Sequence, residues 1–188
     1  MNTPNKLTIF RMVLAPFFLL TLMLGFNHHF LVAELIFVVA SVTDFIDGKL
    51  ARSRNQITTL GKLLDPIADK MLVTAALLGL MMMGQCNIWI CFVILLREYV
   101  VTGVRMIALT HEIVIPANIW GKIKTASQMV SVVIILALNE LTVMGYSLFA
   151  PVSLISNVLL GFTAVMAALS GILYIVKSAK QINFFENK

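Results

Sequence analysis

The chain has 188 residues, of which 60% are hydrophobic and only 12% charged, with a formal net charge of +5 and a mean hydropathy of +0.95. A water-soluble domain of this size needs a far more polar surface, so the composition excludes one and points to an integral membrane protein. The positive balance reads as a topology signal with some attraction to anionic headgroups, and nucleic acid is not the expected partner.

In chain order, six segments are apolar enough to span a bilayer at about 20 residues each. They are Leu7–Phe26, Leu31–Leu50, Leu63–Met83, Ile88–Leu109, a shorter one over roughly Thr125–Leu138, and Val152–Val176. The expected fold is all-α, a single polytopic membrane bundle of about six transmembrane helices over residues 1–188. Pro16 is expected to kink the first helix. That segment starts basic, but Arg11 interrupts it and no small-x-small cleavage site follows FFLLTLMLGF, so it is read as a retained helix. The fifth has the shortest apolar run, MVSVVIILAL, and its polar start KIKTASQ is read as facing an internal cavity. No internal repeat or low-complexity segment is visible.

Orientation follows from the basic residues. Lys6 and Arg11, then Arg52, Arg54 and Lys62, then Lys122 and Lys124, then Lys177, Lys180 and Lys188 fall on one side of an even-numbered bundle. The opposite loops, 27–29, 84–87 and 139–150, contain neither lysine nor arginine. Both termini are therefore expected in the cytoplasm. Trp89 and Trp120 near span ends fit interfacial anchors.

Against this background stands DFIDGKLARSRNQITTLGKLLDPIAD, residues 44–69. Asp44 and Asp47 (i, i+3) share one face of the second helix, and Asp65 and Asp69 (i, i+4) one face of the third. The two helices run antiparallel. Asp47 and Asp65 lie ~6–8 Å inside their loop and Asp44 and Asp69 ~12 Å, so the pairs can meet at matching depth. Four converging carboxylates repel one another unless neutralised. Hard divalent cations, Mg²⁺ or Mn²⁺, suit such oxygen ligands, and two ions would form a clamp for phosphoryl-type displacement. The bland alternative is snorkelling acids paired with Lys49, Arg52, Lys62 and Lys70; it fits one aspartate but not four at this spacing.

The pattern Asp44-x2-Asp47-Gly48-x2-Ala51-Arg52, eight residues, then Gly61-x3-Asp65-x3-Asp69 resembles the signature of the CDP-alcohol phosphotransferase family without a departure. PNKLTIFRM, LLDPIADK, REYVVTGVRM and GKIKTASQM resemble its bacterial phosphatidylglycerophosphate synthase branch, so the likeness covers most of the chain, though little of 27–30 and 139–150. The resemblance implies an enzyme of phospholipid biosynthesis in the bacterial cytoplasmic membrane. Such enzymes transfer the phosphatidyl group of CDP-diacylglycerol to an alcohol, here sn-glycerol 3-phosphate, and release CMP. It implies Asp44, Asp47, Asp65 and Asp69 as ligands of two ions and Asp69 as the general base. It also implies CDP-diacylglycerol binding by Asn5, Thr8, Gly48, Ala51, Arg52, Thr58 and Gly61, and a homodimer. Gly48, Ala51 and Gly61 would let the nucleotide approach the helix backbones, or serve helix packing instead. Asn5 and Thr8 could equally be helix caps.

A phosphorylated acceptor needs cations. Arg105, Lys122 and Lys124 lie near the expected cytoplasmic mouth, and Arg97 lies deeper on a similar face as Arg105. Each could instead be a topology residue, and Arg97 with Glu98 an ion pair closing the bundle. Inositol phosphate, serine or phosphatidylglycerol are alternative acceptors. His28, His29 and His111 are expected in solvent, the methionines as packing residues, and Cys86 and Cys91 as ordinary bundle residues. From another class, a divalent-cation transporter would continue polar residues across the bilayer. The outer halves carry little besides Glu34, which argues against transport, and a purely structural role leaves the aspartate spacing unexplained.

Overall fold

Each apolar run forms one helix: α1 Thr3–Leu24, α2 His29–Ser53, α3 Thr59–Met82, α4 Ile88–Thr110, α5 Ile119–Val143 and α6 Val152–Ile182. The computed structural model describes the backbone of residues 3–53, 59–110 and 119–182, and their side chains apart from 3–5, 44–53, 59–66, 69, 109–110 and 180–182. No strand occurs among the described residues.

Helices α3 and α5 stop in the same way. Gln85 N donates to Leu80 O at 2.8 Å and Tyr146 N to Leu141 O at 3.0 Å, across glycines with φ of 69° at Gly84 and 88° at Gly145. This is the left-handed glycine cap that satisfies the last carbonyls of a helix. Pro16 lies inside an unbroken α1. There its missing N–H removes one ladder bond.

The fifth helix corrects the sequence expectation. It runs 25 residues rather than ending near Leu138, and Lys124, Gln128, Ser131, Asn139 and Glu140 are buried along it. These five polar residues turn inward, so hydropathy alone clips the helix at both ends.

Packing links α1 to α2, α2 to α5, α5 to α6, α6 to α4, α4 to α3 and α3 back to α1, a closed ring of six helices. Small residues allow the close approaches: a Cβ on Gly79 of α3 would come within 2.6 Å of Leu22 Cδ1 on α1. Phe18, Phe37, Leu77, Leu80, Ile94, Ile135 and Leu160 fill the shared core. Phe17, Leu20, Val158, Phe162, Val165 and Ile172 are exposed on the perimeter, which lipid tolerates and water does not. Lys6–Leu24, Ile119–Val143 and Val152–Ala179 are each long and apolar enough to cross a membrane. The protein is a membrane protein of the all-α class.

Candidate active site

Helix lengths set the acidic positions. Asp47 lies six residues before the end of α2 and Asp65 six after the start of α3; Asp44 and Asp69 lie nine and ten from the same ends. At ~1.5 Å per residue, that is about 9 Å for the first pair and about 14–15 Å for the second. Both helices are unbroken through these positions, so the i, i+3 and i, i+4 pairings hold in the backbone. The side chains of Asn5, Asp44, Asp47, Gly48, Ala51, Arg52, Gly61, Asp65 and Asp69, and the whole of Thr58, lie outside the described residues. Among the described residues no group of three His, Cys, Asp or Glu comes together. The acidic residues on these two helices are all carboxylates, a residue type whose oxygens suit hard divalent cations such as Mg²⁺ or Mn²⁺.

Helix α1 supplies a wall beside them. Thr8, Arg11, Ala15, Phe18 and Leu22 are all buried and follow the i, i+3, i+7 stripe of one helix face. Because α1 packs against α2 and α3, that face meets the helices carrying the acids. Thr8 is the sixth residue of α1, which removes the helix-cap alternative for it. Arg11 is 1% exposed. In the sequence Arg11 stands out only as a topology residue, although its place in the stripe is legible there.

A second charged group joins α4, α5 and α6. Arg97 Nη1 donates to Glu98 Oε1 at 3.1 Å and Arg97 Nε to Ser170 Oγ at 3.2 Å. Lys124 Nζ donates to Glu98 Oε1 and to Gln128 Oε1. Lys124 is 1% exposed. Glycines make room for the arginine: a Cβ on Gly171 would stand 3.0 Å from Arg97 Cγ, and one on Gly121 3.2 Å from Arg97 Nη2. Long side chains thus bridge α4 and α5, which are not among the closely packed helix pairs. Lys70, the residue after Asp69, lies within electrostatic reach of Glu98. Arg105 and Lys122, by contrast, are exposed. Lys122 and Lys124 sit about 200° apart around α5, so one faces out and the other in.

The opposite end of the bundle is more polar than the sequence reading allowed. Glu140, 4% exposed, binds the His28 imidazole and accepts Leu31 N at 3.2 Å. His28, expected in solvent, is therefore partnered across 112 residues of chain. Asn139 and Gln85 exchange two bonds of 2.5 and 2.8 Å, and Asn157 Oδ1 accepts Asn87 N at 2.8 Å. These contacts join the short connections at one end of the bundle and pair their polar atoms with one another. Burial, with Cys91 nearby, pushes the Cys86 thiol in the α3–α4 connection up to about 12. Its thiolate is then scarce at neutral pH. Iodoacetamide at pH 8 is expected to leave Cys86 unmodified in folded protein and to label it after denaturation, read by peptide mass. Native labelling at the unfolded rate would contradict this burial.

The model of the CDP-alcohol phosphatidyltransferase family matches residues 1–175. The chain is 38% identical to the CDP-diacylglycerol–glycerol-3-phosphate 3-phosphatidyltransferase of Bacillus subtilis (strain 168), over 73% of this chain and 78% of that protein. It is 37% identical to a probable phosphatidylglycerophosphate synthase of Mycobacterium tuberculosis, over 96% of this chain and 83% of the relative. A Rickettsia bellii protein with the same name as the Bacillus one is 33% identical, over 92% and 93% of the two chains.

Proposed function

Because this chain belongs to the CDP-alcohol phosphatidyltransferase family, we propose that it transfers the phosphatidyl group of CDP-diacylglycerol to sn-glycerol 3-phosphate, giving phosphatidylglycerol phosphate and CMP. The observation that carries the chemistry is the pair of acidic positions at equal depth from the adjoining ends of α2 and α3. Names of relatives at 33–40% identity support the donor and acceptor.

Asp44, Asp47, Asp65 and Asp69 hold two divalent ions, which when bound offset the pyrophosphate charge and that of the departing CMP. Asp69 accepts the proton of the acceptor's hydroxyl as that oxygen forms its bond to the phosphorus of the phosphatidyl group. The bond from that phosphorus to the CMP oxygen breaks in the same displacement, so no covalent enzyme intermediate is required. Asn5, Thr8, Gly48, Ala51, Arg52, Thr58 and Gly61 receive the CDP part. Arg105 and Lys122, both exposed, hold the acceptor phosphate by charge-assisted hydrogen bonds. Arg97 and Lys124, whose guanidinium and ammonium groups are both bonded to Glu98, supply further positive charge for the acceptor phosphate. The enzyme works as a homodimer in the bacterial cytoplasmic membrane, with both termini and the active site on the cytoplasmic side.

The test is an acceptor panel: purified protein, CDP-diacylglycerol and Mg²⁺ with glycerol 3-phosphate, inositol phosphate, serine or phosphatidylglycerol, products read by mass. Phosphatidylglycerol phosphate as the main product is expected; a preference for another acceptor would move the chain to another branch. Lys122→Ala is expected to raise the KM for glycerol 3-phosphate about tenfold with kcat within a factor of two. An unchanged KM would reduce Lys122 to a topology residue.

A further inference from the structure

We propose that Arg11 is the resident counter-ion of the acidic positions on α2 and α3, balancing their charge and holding the two helices together before any divalent ion arrives. This rests on the metal reading under Proposed function and adds a positioning residue to it.

Two contacts set the register of α1 against both acid-bearing helices. Phe18 on α1 meets Phe37 on α2 with ring centroids 5.7 Å apart. Seven residues separate Phe18 from Arg11 and Phe37 from Asp44, which is about two helical turns in each case. The two helices are joined by a short connection and run antiparallel, so both steps lead to one level and to the same two facing sides. On α3, Gly79 lies against Leu22 of α1. Eleven residues lead back from Leu22 to Arg11 and from Gly79 to Ala68, about three turns along a parallel pair. Ala68 is fully buried and sits in the sequence between Asp65 and Asp69. Arg11 therefore stands level with Asp44 on one side and with the Asp65–Asp69 turn on the other. Helix α1 packs closely against α2 and α3, whereas α2 and α3 touch each other only weakly among the described residues.

Burial makes this placement consequential. Arg11 is 1% exposed and lies about 12 Å along α1 from its start. A guanidinium keeps its charge there and needs anions nearby. The chain has nine acidic residues. Glu140 binds His28 at the other end of the bundle, with Glu34 within its electrostatic reach, and Glu98 is bonded to Arg97 and Lys124. Glu112 and Glu186 lie outside the described residues. The four aspartates are the acids that the register brings to the level of Arg11. Converging carboxylates push their helices apart, and a cation between them offsets that repulsion. Two bound divalent ions supply the same charge, and the arginine then opposes them.

The test compares wild type, Arg11→Met and Arg11→Lys, each full-length in one detergent. Arg11→Met is expected to lose about 6 °C or more of Tm in EDTA and less than half of that in saturating Mg²⁺. Its Mg²⁺-induced rise in Tm should thus exceed that of wild type. Free Mn²⁺ read by electron paramagnetic resonance should show Arg11→Met binding the ion about three- to tenfold more tightly, with Arg11→Lys within about twofold of wild type. An equal loss of Tm with and without Mg²⁺ would make Arg11 a packing residue and overturn the inference. Weaker Mn²⁺ binding by Arg11→Met would also overturn it. A wild-type protein that binds no Mn²⁺ would instead reject the metal reading, and this inference with it. Should Arg11→Met fail to fold, adding Asp44→Asn removes one repelling charge and is expected to restore folded protein in EDTA. A double variant no more stable than the single one would overturn the assignment.

Discussion

Asp69→Asn is expected to lower CMP release by about 10²- to 10⁴-fold, the usual worth of a positioned general base. Asparagine keeps the size of the side chain and removes both its charge and its ability to accept a proton. The position is ten residues into a continuous α3, between the fully buried Ala68 and the half-buried Lys70, so the helix itself has no need of the carboxylate. The variant should accordingly elute and unfold like the wild type. Turnover from CDP-diacylglycerol, glycerol 3-phosphate and Mg²⁺ in detergent is the measurement, and activity within a few fold of wild type would remove the base role. Raising the pH is not expected to rescue the variant, because no side chain at that position regains a basic oxygen.

Glu98→Gln should be strongly destabilising. Glu98 is the one anion bonded to both Arg97 and Lys124, and its side chain is 21% exposed. Removing it leaves two cations facing each other inside the ring. Breaking such a pair by deleting one partner costs about 3 kcal/mol or more, roughly a 6–12 °C fall in Tm for a chain of this size. Thermal unfolding in one detergent checks it. The double variant Glu98→Gln with Lys124→Met should recover part of the loss, since replacing both charges avoids the stranded cation. A Tm within about 1 °C of wild type in the single variant would show that water or another anion already screens the group.

These two sites were legible to very different degrees. The aspartates announce themselves because helical spacing is local: four acids at i, i+3 and i, i+4 need only a helix to share a face. Glu98 and Lys124 are 26 residues apart in the chain, and no local pattern pairs them. Lys122 and Lys124 look alike as basic residues before an apolar run. Only an α5 that starts at Ile119 gives them opposite phases, one exposed and one buried. Asn139 and Glu140 were lost to a supposed loop for the same reason, since polar residues that face the interior of a bundle lower hydropathy just as loop residues do.

Composition and hydropathy sufficed for a membrane protein of six described helices, and motif spacing sufficed for its family. Both properties follow from length, polarity and the fixed rise of a helix, which neighbours do not alter. The order α1–α2–α5–α6–α4–α3 around the ring came only from the folded chain. Lipid tails are as apolar as a protein core, so hydrophobicity does not tell an inward face from an outward one. That choice rests on small residues such as Gly79 and Gly171 admitting particular partners, and on buried polar groups finding one another across the bundle.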